Sequence, residues 1–308
     1  MILIGTTRIG IPRGLFYYEL GHLWMRFFEE LGCQPVVSGP TTKQTVETGA
    51  RLAVDEACLP VKTYFGHVAS LTGAVDLLFV PRLVSTERCG FICPKFLGLP
   101  DMLKAVVPNL PPLLMPTVNE YRRPQWRRAA AQIAIGLGLT ARQGEEAWQR
   151  AQSATADLPP PGAPAGQGEA DLTIGVLGHP YNIYDPGIGL SLLGRLQQLG
   201  ARVVTPELIP LKSSGDPLRL GKPLFWSLGR RVLRAAGEFR QGAVDGVVHL
   251  VAFGCGPDSL VGELVEGYMR QQPSCPYLLL TVDEHSGEAG LVTRLEAFVD
   301  LIRWGRAG

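Results

Sequence analysis

Three cysteines stand at turns of one kind. Cys58 in Asp55-Glu-Ala-Cys-Leu-Pro-Val-Lys62, Cys93 in Phe91-Ile-Cys-Pro-Lys-Phe-Leu-Gly98 and Cys255 in Phe253-Gly-Cys-Gly-Pro-Asp258 each have a proline within the next two residues. Proline fixes the backbone and removes a competing amide donor. Each turn leads towards a helix-like pattern, and the unpaired amides at a helix start favour negative charge. These are settings for thiolates, the form of cysteine that binds metals. Lone thiolates drawn from distant turns suit iron–sulfur ligation, and three of them leave the fourth iron of a cluster open to substrate, water or a bridge. Zinc is the competing reading. Structural zinc sites usually show close pairs such as C-x2-C, whereas the close pair here is Cys89 and Cys93, spaced C-x3-C, with Cys89 in the polar loop Ser85-Thr-Glu-Arg-Cys-Gly90. Cys33 and Cys275 lie at element junctions and read as small buried hydrophobes.

Two polar stretches offer further chemistry. Gly178-His-Pro-Tyr-Asn-Ile-Tyr-Asp-Pro-Gly187 follows an apolar strand-like run, where an α/β site collects polar groups, so His179, Tyr181 and Asn182 are candidates to line a ligand or cofactor pocket. The competing reading is a polar turn that satisfies itself. In Asp283-Glu-His-Ser-Gly-Glu288, Ser286 is placed to cap a closing helix and Glu288 to sit in its first turn. Glu284 and His285 are left over as candidates for proton transfer. His22 and His67 fall within amphipathic helical patterns and His249 within a buried strand, so their expected roles are structural. The dinucleotide fingerprint G-x-G-x-x-G, the phosphate loop G-x-x-x-x-G-K-[ST], the nucleophile elbow G-x-S-x-G and H-E-x-x-H are all absent from these 308 residues.

The elements that must position these residues alternate. Residues 8–81 read as strand 9–11, helix 16–31, strand 34–37, helix 43–54, helix 61–71 and strand 76–80. Further on, 101–107 reads as a short helix-like segment after Cys93, 113–116 as a strand, 125–137 and 145–154 as helices, and 277–282 as a strand. Strands alternating with helices of ten or more residues mean βαβ units and mostly parallel sheets. The stretch 156–168 is too rich in proline and glycine for regular structure and reads as a linker. After it the opening pattern returns: Ile9-Gly-Ile-Pro-Arg-Gly and Leu31-Gly-Cys-Gln-Pro-Val-Val correspond to Ile174-Gly-Val-Leu-Gly-His and Leu199-Gly-Ala-Arg-Val-Val. The expected organisation is two similar α/β domains, 1–155 and 171–308, joined by 156–170. A site using Cys58, Cys93 and Cys255 together would then fall in the cleft between them.

Apolar residues make up 46% of the chain, enough for full cores, and the formal charge is +1 with both signs interspersed. That balance argues against nucleic acid and anionic membrane as partners. With no leader pattern at the start and no apolar run approaching the ~20 residues of a spanning helix, the chain reads as soluble and cytoplasmic. In that compartment six cysteines do not read as a disulfide framework.

Several of these motifs carry a family resemblance. Ile9-Gly-Ile-Pro-Arg-Gly-Leu, Asp55-Glu-Ala-Cys-Leu-Pro-Val-Lys, Cys93-Pro-Lys-Phe-Leu-Gly-Leu-Pro, Phe253-Gly-Cys-Gly-Pro-Asp and the long run from Asp283 to Asp300 resemble the acyl-CoA dehydratase activase-related proteins. That group is similar to the 2-hydroxyacyl-CoA dehydratase subunits and the double-cubane cluster proteins. The resemblance implies two flavodoxin/Rossmann-like domains holding an iron–sulfur cluster, four-iron four-sulfur or an eight-iron double cubane shared across a homodimer, by Cys58, Cys93 and Cys255. It implies a separate ATP-hydrolysing activator as electron donor and a small-molecule or acyl-CoA substrate, so that the chain acts as a low-potential reductase or a dehydratase-type component. Because these residues contain no phosphate loop, ATP hydrolysis is expected to act in trans, with Arg122, Arg123 and Gly229-Arg-Arg231 as candidate contacts for the activator. The alternative is a non-catalytic α/β module that docks a partner ATPase, its cysteines metal-free or zinc-bound.

Overall fold

The computed structural model describes residues 7–164, 170–209, 217–218, 220–271 and 275–307. The chain divides into two compact units. The first takes Met1–Asp55, Val61–Pro161 and Phe225–Ser227; the second takes Glu56–Pro60, Gly162–Leu224 and Leu228–Gly308. The five residues around Cys58 therefore group with the second unit although the chain on both sides of them belongs to the first.

In the first unit the elements are β1 (Arg8–Ile11), α1 (Tyr17–Glu30), β2 (Gln34–Val37), α2 (Lys43–Leu52), α3 (Leu59–Leu71, whose first two residues group with the second unit), β3 (Leu77–Phe79), β4 (Arg82–Ser85), α4 (Pro94–Val106), β5 (Leu113–Leu114), β6 (Thr117–Asn119), α5 (Trp126–Gly136) and α6 (Ala141–Thr155). The main sheet runs β2-β1-β3-β5, parallel throughout, and β4 and β6 form a small parallel pair. Apolar residues at helical spacing on α1 explain its seat: Trp24, Phe27 and Phe28 are buried, and Trp24 and Phe28 both meet Phe79 of β3 edge-on at about 5 Å. The helices start where their caps dictate. Thr42 with Thr45 and Thr140 with Gln143 form capping boxes at α2 and α6.

The second unit contains β7 (Leu172–Leu177), α7 (Pro180–Ile183), α8 (Leu192–Gln198), β8 (Ala201–Val204), α9 (Ser227–Glu238, whose first residue groups with the first unit), β9 (Gly246–Ala252), α10 (Gly256–Met269), β10 (Tyr277–Val282) and α11 (Glu288–Ala307). Its sheet runs β8-β7-β9-β10, again all parallel. Counting only the strands of each four-stranded sheet, both have the order second, first, third, fourth, so the repeated sequence pattern is a repeated topology. All seven residues of β9 are buried, and Val247 joins one core cluster with Val232 of α9, Phe239, and Val261, Val265 and Met269 of α10. A strand covered on both faces reads as a continuous apolar run.

The protein is thus α/β with mostly parallel sheets. The expected element boundaries move by a few residues, and three features depart further. Helix α4 begins at Pro94, not at 101, because proline directly after Cys93 is preorganised for a first helical position. Strand β4 and helix α9 were not expected. In α9 the buried Leu228, Val232, Leu233 and Ala236 did carry a helical signal. Ser286 does not act on the closing helix: its hydroxyl donates to Asp283 Oδ1 at 2.7 Å and accepts from Asp283 N at 2.9 Å, closing the turn before α11. Residues 156–164 hold no helix or strand, and 165–169 of the expected linker lie outside the described residues. Among the described residues no helix is long and apolar enough to cross a membrane.

Candidate functional site

In a parallel sheet with this order the switch point lies between the first and third strands, here β7 and β9, and ligands gather beyond their carboxyl ends. His179 follows β7 there, and Cys255 follows β9. Two glycines make the approach feasible. Gly254 has φ +76°, a conformation in which an L side chain is strained, and it turns the chain out of β9 so that Cys255 becomes the N-cap of α10. Gly178 has φ +151°, and a Cβ there would stand 2.6 Å from the Leu250 carbonyl oxygen. Any larger residue would push β7 away from β9.

Cys255 does not stand alone in the second unit. Its thiol is hydrogen-bonded with that of Cys58, and Gly254 packs against the Cys58 backbone, where a Cβ would lie 3.5 Å from Cys58 Cα. Cys58 directly precedes α3, so both thiols sit at helix starts, and they are 7% and 6% exposed. Hydrogen bonding to Cys58, burial and the nearby Asp258 carboxylate push the Cys255 thiol far above its ordinary value, while the Asp258 backbone N–H works the other way. Without a cation Cys255 is held as a neutral thiol.

Around Cys255 the polar groups converge. A His179 ring nitrogen, Cys255 Sγ and an Asp258 carboxylate oxygen lie within 4.8 Å of one another, all on buried residues. His179 Nδ1 is hydrogen-bonded to Tyr181 Oη at 2.7 Å. Asp258, in the first turn of α10, accepts at Oδ2 from Asn182 Nδ2 and from the Ala252 amide, each at 3.3 Å. Its Oδ1 has no hydrogen-bond partner, and it faces His179 Nε2 at 3.7 Å. Burial raises the Asp258 carboxyl above the usual range, opposed by His179 and the Ala252 amide. Asn182 Oδ1 and His249 Nε2 are also buried and unpartnered. His249 Nδ1 is hydrogen-bonded to Tyr277 Oη at 2.8 Å, and burial first, with the charge of His179 second, lowers its pKa to about 3.

The structure therefore brings together Cys58, Cys255, His179, Tyr181 and Asn182, with Asp258 as a member the sequence reading missed. Its signal was available, as an acidic residue three positions after a helix-capping cysteine. Cys93 belongs to the first unit, where it is half-buried as the N-cap of α4. Glu284 and His285 lie in the turn between β10 and α11, at the same end of the second sheet as Cys255. His285 is exposed there with its backbone N–H on Asp283 Oδ1, whereas the cluster is buried. Cys89 is exposed, and Cys33 and Cys275 are buried. Arg122 and Arg123 are exposed in the first unit, while in the second Arg231 bonds Glu207 at 3.3 Å.

Residues 8–209, about two thirds of the chain, match the family described as CoA enzyme activase uncharacterised domain (DUF2229). The matched span contains Cys58, Cys93, His179, Tyr181 and Asn182, and ends before Cys255. No curated protein matches the chain.

Proposed function

The chain belongs to this CoA enzyme activase family, and from that premise we propose that it is an iron–sulfur protein of CoA-enzyme activation, its cluster held by Cys58, Cys93 and Cys255. The observation that carries the reading is the buried pair Cys58 and Cys255, two thiols from separate chain segments that meet at helix starts in the second unit. Their donor chemistry fits: both sulfurs are soft ligands, both are shielded from water, and the amides of the α10 first turn favour a sulfur anion there. Cys93, also placed at a helix start, is the proposed third ligand.

A bound cluster would supply single electrons at low potential. The protein's own residues contribute in other ways. Burial of the cysteines limits solvent access, the rigid Gly-Cys-Gly-Pro turn fixes one ligand, and His179, Asn182 and Asp258 place polar groups beside it. In this reading the chain takes electrons from an ATP-hydrolysing activator and passes them to an acyl-CoA thioester or a comparable small substrate, with Glu284 and His285 as candidate proton donors at the sheet end. A second reading is favoured by the family's printed description, which names an activase: the chain then works on the activating side itself, and its cluster donates electrons to the CoA enzyme.

Iron, sulfide and visible absorption measured on anaerobically purified and reconstituted protein test the cluster. About four irons per chain are expected from a four-iron cubane. Cys58→Ser, Cys93→Ser and Cys255→Ser should each lose iron, while Cys33→Ser and Cys275→Ser keep it. Colourless, metal-free protein after reconstitution would overturn the reading. Activity with a chemical reductant in place of activator and ATP would refute dependence on the partner.

A further inference from the structure

The polar atoms left without partners in the second unit are not scattered. Asp258 is fully buried, and its two oxygens are treated unequally: Oδ2 accepts two hydrogen bonds and Oδ1 none. A buried carboxylate oxygen left without a partner is costly, so its persistence beside other donors calls for a ligand. At 3.7 Å from His179 Nε2 it is too far for a hydrogen bond. That separation instead suits two donors sharing one ion, since ligands at about 2.0–2.2 Å in tetrahedral geometry lie roughly 3.3–3.6 Å apart.

We propose that the second unit binds a single divalent transition-metal ion through His179 Nε2, Asp258 Oδ1 and Cys255 Sγ, independently of Cys93. The outer partners are already in place. Tyr181 Oη engages His179 Nδ1 and leaves Nε2 as the ligating nitrogen. Asn182 Nδ2 and the Ala252 amide hold the Asp258 carboxylate by its other oxygen. Such outer hydrogen bonds orient metal ligands and raise their basicity. One thiolate, one imidazole and one carboxylate suit a cation of borderline softness, zinc or ferrous iron, and leave a fourth position open, and binding releases the Cys255 thiol proton. The site rests on Cys255, one of the thiols assigned above to the cluster, and it would give ferrous iron a landing place in one unit before Cys93 is engaged.

Cobalt(II) titration of the full chain under anaerobic conditions is the test. Expected are sulfur-to-cobalt charge-transfer absorption in the near ultraviolet and intense tetrahedral bands in the visible, both retained in Cys93→Ser. Affinity should fall by about tenfold or more in His179→Ala and Asp258→Asn and by roughly tenfold in Tyr181→Phe, with circular dichroism checking that each variant is folded. Should Asp258→Asn fail to fold, His179→Ala and Tyr181→Phe still decide. The proposal is overturned if Cys93→Ser loses the cobalt spectrum, if the wild type binds cobalt with no sulfur-to-cobalt band, or if the folded variants bind like wild type. Iron and sulfide assays run in parallel separate the two readings: cobalt binding without cluster assembly sinks the cluster alone, and cluster assembly without the cobalt site sinks this inference alone.

Discussion

A single imidazole in the first unit illustrates how burial becomes pH dependence. His67 is 1% exposed on α3, with Ser38 Oγ at 3.0 Å from Nδ1 and Thr41 Oγ1 at 2.8 Å from Nε2. Both ring nitrogens are engaged by hydroxyls, as a neutral ring allows, and burial first with Arg13 second lowers the pKa to about 4. Above about pH 6.5 the ring is neutral folded or unfolded. Below that the unfolded chain takes up a proton the folded chain refuses until about pH 4, so stability is lost as pH falls through this window. The share from His67 is about 3 kcal/mol, and His249 acts in the same direction. Urea unfolding across pH 7 to 4 should show the decline, and His67→Gln should flatten part of it. An unchanged slope in that variant would remove His67 as a cause.

At the scale of elements, the crossing of α2 and α3 depends on two glycines. A Cβ on Gly49 would lie 1.8 Å from the Lys62 carbonyl oxygen, and one on Gly66 would lie 1.9 Å from that of Thr45. These are main-chain atoms of the facing helix, which cannot rotate aside as a side chain can. Gly49→Ala and Gly66→Ala should therefore destabilise by upwards of about 3 kcal/mol, the top of the ordinary range for overpacking. A helix-propensity gain of about 1 kcal/mol from glycine to alanine is too small to offset it. Gly98→Ala, where a Cβ meets nothing within 4 Å, is the control and should be neutral or slightly stabilising in the same denaturation experiment.

For the molecule as a whole, occupancy of the cysteine site should appear as stability. A ligand that binds only the folded chain stabilises it by about 2.7 kcal/mol at a hundredfold excess over its dissociation constant. Anaerobic reconstitution with iron and sulfide should therefore raise the thermal midpoint of the wild type and leave that of Cys255→Ser unmoved, as scanning calorimetry would record. Equal shifts in the two proteins would mean that the metal binds elsewhere. The duplicated strand order gives the result a place in the fold. Both units carry a switch point between their first and third strands, yet in the second that position holds the converging His179, Cys255 and Asp258.

Much of the fold could be read from the residues in order. Period and punctuation are local: the apolar run 247–252 had to be a buried strand, Gly254 and Pro257 had to break it, and the spacing of Trp24, Phe27 and Phe28 had to make α1 a helix facing a sheet. The return of Leu-Gly followed after two or three residues by Val-Val, at 31–37 and 199–204, likewise announced two units of one topology. The likeness of three cysteine turns was visible too, as was the polar stretch after β7. What only the tertiary structure decided is which of these meet. Residues 56–60 carry Cys58 into the second unit, against its place in the chain, because contacts across 197 positions of sequence leave no local periodicity. Asp258 joined the site for the same reason. Its carboxylate reads as an ordinary first-turn acid until packing removes water from one oxygen and leaves it facing His179.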